Sequence, residues 1–158
     1  MSEGVEDRLR GLGYELPTVA HPAGSYVPTS RTGALVFTAG QLPFREGQLL
    51  YAGKVDREIS VEDAKEAARL CALNALAAVK EEAGSLENVR RIVKATGYVA
   101  SAAGFNGQPG VMNGASDLIG ELFGEKGHHA RTAVGVAELP LDAPIEVELI
   151  VELAEQQR

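Results

Sequence analysis

The chain has 158 residues, a length that suits one domain whose core needs no disulfide or metal staple. Its formal net charge is −7, from 22 Asp and Glu against 15 Lys and Arg. That balance disfavours nucleic acid as the main partner, because such binding draws on neutralised phosphates. The lone Cys71 excludes an internal disulfide framework, no apolar run reaches the ~20 residues of a membrane span, and the acidic start lacks the apolar stretch of a signal peptide, so the expected location is the cytoplasm.

Residues from about Val5 to Leu12 predict a short first helix ended by Gly13. Pro17, Pro22 and Pro28 then predict an irregular, extended arm as far as Pro28. Ala34–Ala39 reads as a buried strand, and Gln48–Ala52 as its hairpin partner, with Arg45-Glu46-Gly47 near the turn. Ser60 opens the clearest helix. Its hydroxyl is placed to cap an orphan N–H, Asp63 favours the positive helix end, and Gly84 supplies the stop. Ala64, Ala67, Ala68, Cys71, Ala75, Ala78 and Val79 recur at helical spacing, so Cys71 reads as a small hydrophobe within an alanine-lined face.

Ser85–Arg91 suggests a helical turn, Arg91–Ala100 a strand, Ser101–Gly110 a loose connector and Val111–Phe123 a second amphipathic helix. Ala130–Ala137 and Ile145–Leu153 complete the strands. The order is ββαβαββ, an α+β fold with two helices on one face of a mixed sheet. The other sheet face, if apolar, calls for subunit association.

On the strand from Ala130, period two places Arg131, Ala133, Gly135 and Ala137 on one face. Three small residues beside one Arg predict a hollow with a fixed cation, suited to bidentate capture of a small carboxylate. The plainer reading is an Arg paired structurally with a nearby Glu, or one snorkelling from a surface strand. In Ile145–Leu153 the glutamates Glu146, Glu148 and Glu152 alternate with apolar residues, as on a half-solvated strand. One of them beside Arg131 could orient or deprotonate a water. A simple hairpin would set Arg131 opposite roughly Glu152, so Arg131 and Glu146 meet only if the strands pair otherwise or a neighbouring subunit contributes one of them. His128 and His129 read as ordinary loop histidines without metal-ligand spacing. No phosphate loop and no nucleophile elbow is present.

Arg131-Thr-Ala-Val-Gly-Val-Ala-Glu-Leu-Pro140 with Ile145-Glu-Val-Glu148 resembles the C-terminal signature of the RidA/YjgF family. Thr38-Ala-Gly-Gln-Leu-Pro43, Met112-Asn113 and the segment around Ser25-Tyr26 resemble further family motifs. The resemblance covers Tyr26 to the C-terminus of a single domain, 1–158, in which 1–25 is an N-terminal extension. It implies a chorismate-mutase-like fold and a homotrimer with clefts between subunits. It implies hydrolytic deamination of reactive enamines and imines such as 2-aminoacrylate, without metal or cofactor. Arg131 would clamp the substrate carboxylate and Glu146 would hold the attacking water. Tyr26, Gly40 and Asn113 would line the cleft with Ala133, which stands where the family's best-known deaminases carry Cys and so permits no thiol role. The alternatives are a non-catalytic, regulatory trimer that binds small carboxylates and, disfavoured by the acidic charge, an endoribonuclease.

Overall fold

The computed structural model describes residues 2–22 and 24–155. Its main sheet contains β1 (Thr29–Thr32), β2 (Leu35–Thr38), β5 (Val89–Ala100), β6 (Ala130–Val136) and β7 (Ile145–Leu153), in the order β1-β2-β7-β5-β6. β5 and β6 are parallel and the other pairs antiparallel. A separate two-stranded ribbon joins β3 (Phe44–Arg45) to β4 (Gln48–Leu49). Helices α2 (Val61–Ala83) and α3 (Gln108–Phe123) cover one sheet face and pack on each other. The short α1 (Val5–Gly11) buries Val5 and Leu9 into the same core, and Arg8 donates to the Leu122 carbonyl at the end of α3, at 2.6 Å. The α+β architecture, the mixed sheet and the one-sided pair of long helices agree with the sequence expectation.

Local chemistry explains the elements. Ser60 Oγ accepts from the Asp63 N–H at 3.1 Å and Gly84 closes α2 at φ 83°. Such a cap stabilises by about 1 kcal/mol. The alanine face of α2 lets α3 approach closely. A Cβ on Gly114 of α3 would lie 2.8 Å from the Lys65 carbonyl carbon of α2. Cys71 is fully buried and burial pushes its thiol well up, as fits a small hydrophobe.

Two pairings differ from the sequence expectation. The partner of β2 is β1, across the loop Gly33-Ala34 with Gly33 at φ 57°, the pattern of a II′ turn. Residues 48 and 49 pair instead with Phe44–Arg45, around a turn with Glu46 at φ 52° and Gly47 at φ 77°. The other edge of β2 is taken by β7, so no edge remains there for residues 48–52. Helix α3 also starts three residues earlier than expected, at Gln108. Pro109 is tolerated in its first turn, and the Gln108 side chain folds back onto the Phe105 carbonyl at 2.7 Å.

Candidate active site

β6 and β7 do not form a hairpin. β5 lies between them, so Arg131 stands beside Ala95, and Ala95 beside Leu149. Glu152 is instead held by Arg91 at 2.7 Å and by Arg90 at 3.5 Å. Cross-strand neighbours share a face. Arg131 therefore lies on the helix-covered side, where Ala95 and Leu149 are buried. Glu146 stands beside Tyr98, and Tyr98 beside Val134, on the side that no helix covers. Within one chain the expected cation and carboxylate occupy opposite sheet faces.

Arg131 belongs to a polar group between β6 and α3. Its Nη1 donates to Asn113 Oδ1 at 2.6 Å and to Ser116 Oγ at 3.3 Å. Ser116 Oγ lies 2.9 Å from His129 Nε2, and His129 Nδ1 lies 2.6 Å from the Gly127 carbonyl. That carbonyl only accepts, so neutral His129 carries its proton on Nδ1 and receives the Ser116 hydroxyl on Nε2. His129 is thus no free loop histidine, although His128 lies exposed beside it. Arg131 takes part in no ion pair among the described residues. Its Nε and Nη2 edge makes no protein hydrogen bond among them, and the side chain is exposed. The plainer reading of Arg131 as one half of a structural salt bridge therefore fails.

Among the described residues, the space expected beside Arg131 is taken up at Ala133 and Gly135. Ala133 packs against the core, and a Cβ on Gly135 would lie 2.8 Å from Gln108 Nε2 and 3.1 Å from Ser101 Oγ. These residues are small because α3 and the end of β5 lean on β6.

The second half of the constellation surrounds Glu146. Residues 39–41 run along β7, with Gln41 and Val147 exchanging both backbone hydrogen bonds at 2.8 and 3.0 Å. Gly40 there faces the Glu146 carboxyl so closely that a Cβ would overlap it. Burial pushes the Glu146 carboxyl above its ordinary value, and the adjacent Glu148 raises it further. Glu148 itself accepts from the Tyr98 hydroxyl at 2.8 Å. Tyr26 and Gly40 join Glu146 in the wall of a cavity of about 1080 Å³, which the arm from Gly13 to Pro22 encloses against α2 and the β3–β4 ribbon.

The structure thus gathers Tyr26, Gly40 and Glu146 in one place, and Arg131, Asn113 and Ala133 in another. Sequence reasoning overlooked Tyr98 and Ser116, and it left the arm without a role. Tyr98 was visible only as one residue of a strand, and Glu148 as one of three alternating glutamates. Ser116 carried no signal until α3 and β6 met. Among the described residues, no group of three or more His, Cys, Asp or Glu side chains is disposed to hold a metal. No helix among them is long and apolar enough to cross a membrane.

The family model described as "YjgF/chorismate_mutase-like, putative endoribonuclease" matches residues 6–153. The chain is 41% identical over 150 residues to protein TCP17 of Trypanosoma cruzi, covering 94% of each. The crystal structure of Atu1372 from Agrobacterium tumefaciens is similar at TM-score 0.88 and 45% identity, over 94% of this chain and 92% of that one. Escherichia coli TdcF, solved with bound serine, is similar at TM-score 0.65 and 25% identity, over 88% and 94% of the two chains. The chain belongs to the YjgF family, the RidA/YjgF family whose motifs it carries.

Proposed function

We propose that the protein hydrolyses 2-imino acids and their enamine tautomers, such as 2-aminoacrylate, to 2-oxo acids and ammonia, at sites shared between subunits of a homotrimer. The observation that carries this reading is the separation of two chemically complementary halves onto opposite faces of one sheet. An unpaired guanidinium with a free donor edge lies on one face, and a glutamate of raised proton affinity on the other. Only a second copy can bring one half to the other. The uncovered sheet face supports such association, since Phe37 and Val134 are exposed there beside Leu35, Ile150 and Val136. The serine held by TdcF supports a site for a small amino-acid carboxylate.

Arg131 grips the substrate carboxylate through Nε and Nη2, while Asn113 and Ser116 hold Nη1 and stop the guanidinium from swinging. An enamine substrate first takes a proton from solvent on its methylene carbon, releases one from nitrogen and becomes the imine. Glu146 orients a water and takes its proton as the oxygen attacks C2, and the C=N electron pair moves onto nitrogen. The tetrahedral intermediate collapses as the C–N bond breaks. Glu146 returns its proton to the nitrogen and then relays the C2 hydroxyl proton to it as the C–N bond breaks, so that ammonia leaves and the hydroxyl oxygen becomes the carbonyl of the 2-oxo acid. Positioning accounts for most of the acceleration, on the order of 7–11 kcal/mol at best. A raised proton affinity suits a carboxyl that must both accept and return a proton near neutral pH.

Mixing two inactive variants tests both the chemistry and the shared site. Arg131→Ala and Glu146→Gln each lose acceleration of imine decay when 2-aminoacrylate is generated by a dehydratase. Unfolding and refolding them together restores roughly a quarter of the sites, since each site draws one residue from each of two randomly chosen subunits. No regain of activity rejects the shared site. Wild-type protein that leaves the decay rate unchanged rejects the deaminase and leaves the non-catalytic binder, which calorimetry with 2-oxo acids detects directly.

A further inference from the structure

The cavity beside Glu146 is much larger than 2-aminoacrylate needs. Ligand sites span roughly 300–1,000 Å³ and bury most of a drug-sized molecule, whereas 2-aminoacrylate has a handful of non-hydrogen atoms. At about 1080 Å³, the cavity has room for a long side chain beyond the reacting carbon. Its apolar wall comprises Leu16, Pro17 and Val19 of the arm, Leu42, and Leu70 and Leu73 of α2, while Glu15, His21, Arg45 and Glu46 also line the cavity. Several polar groups on the wall are already engaged. Asn74 donates to the Leu42 and Phe44 carbonyls at 3.2 and 3.0 Å, which pins the ribbon to α2. Arg69 donates to the Tyr14 hydroxyl at 2.7 Å and lies 5.7 Å from the ring centroid, which pins the arm to the same helix. The arm is therefore a docked wall, with Leu16 and Tyr14 packed against the core.

We propose that this cavity is a side-chain subsite, closed by the N-terminal arm, that selects imino acids with a bulky apolar side chain over 2-aminoacrylate. The proposal rests on the deaminase reading, because it places the reacting carbon at Glu146. With that carbon there and the carboxylate held by Arg131 of another copy, the remaining substituent on C2 points away from the charged groups. The neighbouring space is this cavity, with the apolar wall of Leu16, Pro17, Val19, Leu42, Leu70 and Leu73. A substituent that fills it leaves water and adds binding in the transition state, while the methylene of 2-aminoacrylate leaves the cavity empty. Discrimination in an apolar pocket runs about 10–200-fold for each methylene.

The test uses the full chain and a substrate series. Amino acid oxidase with catalase converts leucine, phenylalanine and alanine to their 2-imino acids, a dehydratase supplies 2-aminoacrylate, and the enzyme's acceleration of hydrolysis is measured for each. We expect kcat/KM for the leucine- and phenylalanine-derived imines to exceed that for 2-aminoacrylate and the alanine imine by at least about tenfold. Leu16→Trp, which fills the cavity from the arm, should reduce that ratio by about tenfold or more. Equal or greater efficiency on 2-aminoacrylate overturns the subsite and leaves the deaminase standing. Preference for the bulky imines that survives in a folded Leu16→Trp variant overturns the arm as its wall. Loss of acceleration for every substrate, in wild-type protein, removes the deaminase reading itself.

Discussion

Gly40→Ala offers a sharp probe of the carboxylate half-site. The added Cβ would lie 2.8 Å from Cδ and 3.0 Å from Cγ of Glu146, besides overlapping the carboxyl oxygen. Unstrained carbon contacts begin near 3.5 Å, so the Glu146 carboxyl must move by roughly 1 Å. Gly40 is not among the glycines with positive φ, so its backbone accepts alanine. The atom in the way is the end of a side chain, which yields by changing rotamer at about 0.5–1.5 kcal/mol. A 1 Å misplacement of a reacting group costs about 10²-fold in rate, or about 2.7 kcal/mol of transition-state stabilisation. Gly40→Ala should therefore lower kcat/KM about a hundredfold while urea unfolding shows a loss of no more than about 1.5 kcal/mol. In a Glu146→Gln background the same substitution should have almost no further effect on rate, because both act through one group. Full activity in Gly40→Ala, or equal losses in both backgrounds, would refute the role given to the Gly40–Glu146 contact.

Glu146→Gln should raise the melting temperature at neutral pH while abolishing activity. The folded state raises the proton affinity of Glu146, so its ionised form weakens the fold at neutral pH. As pH falls through the raised value, the wild type recovers that stability, and the difference should close below the ordinary glutamate value of 4.5; a gap that widens with acid would contradict this. The acid limb of the wild-type pH–rate profile should likewise lie above that value. Gly114→Ala drives a methyl against the backbone of Lys65, which cannot rotate away, and should cost about 1–3 kcal/mol in denaturant unfolding; unchanged stability would mean that α2 and α3 separate easily. Val134→Glu, at a position 41% exposed on the uncovered sheet face, should shift the assembly to monomer in sedimentation and remove activity with it; a monomeric, active wild type would end the shared-site reading.

Much of this molecule was legible before any coordinates. The Ser60 cap, the alanine stripe of α2, the boundaries of β7 and the candidacy of Arg131 followed from spacing and side-chain chemistry, whereas the choice of Glu146 among the three glutamates of β7 came from the resemblance to the family motifs. The face carrying Arg131 was readable too, because alternation along a strand assigns each residue to one side. The early hairpin was misassigned because Thr29–Thr32 is short and polar, with a burial pattern that is mostly exposed. Its pairing depends on the turn at Gly33 rather than on any apolar signal. The connector before α3 hid three helical residues because glycine and proline are frequent in it and no side chain caps the helix start.

The sequence by itself determined the buried face and both ends of α2, the alternation of β7, and that a cation and a set of carboxylates lie on late strands. Side-chain period and capping chemistry are local, so they can be read along the chain. Only the tertiary structure decided that β5 separates β6 from β7, that Arg131 and Glu146 take opposite faces, and that the arm encloses a cavity beside Glu146. Backbone hydrogen bonds between strands do not depend on side-chain identity, so alternation assigns faces without assigning neighbours. The proton affinity of Glu146 likewise comes from its burial in the fold and then from the charge of Glu148, and the chain that lies against its carboxyl, at Gly40, is more than a hundred residues away in the sequence.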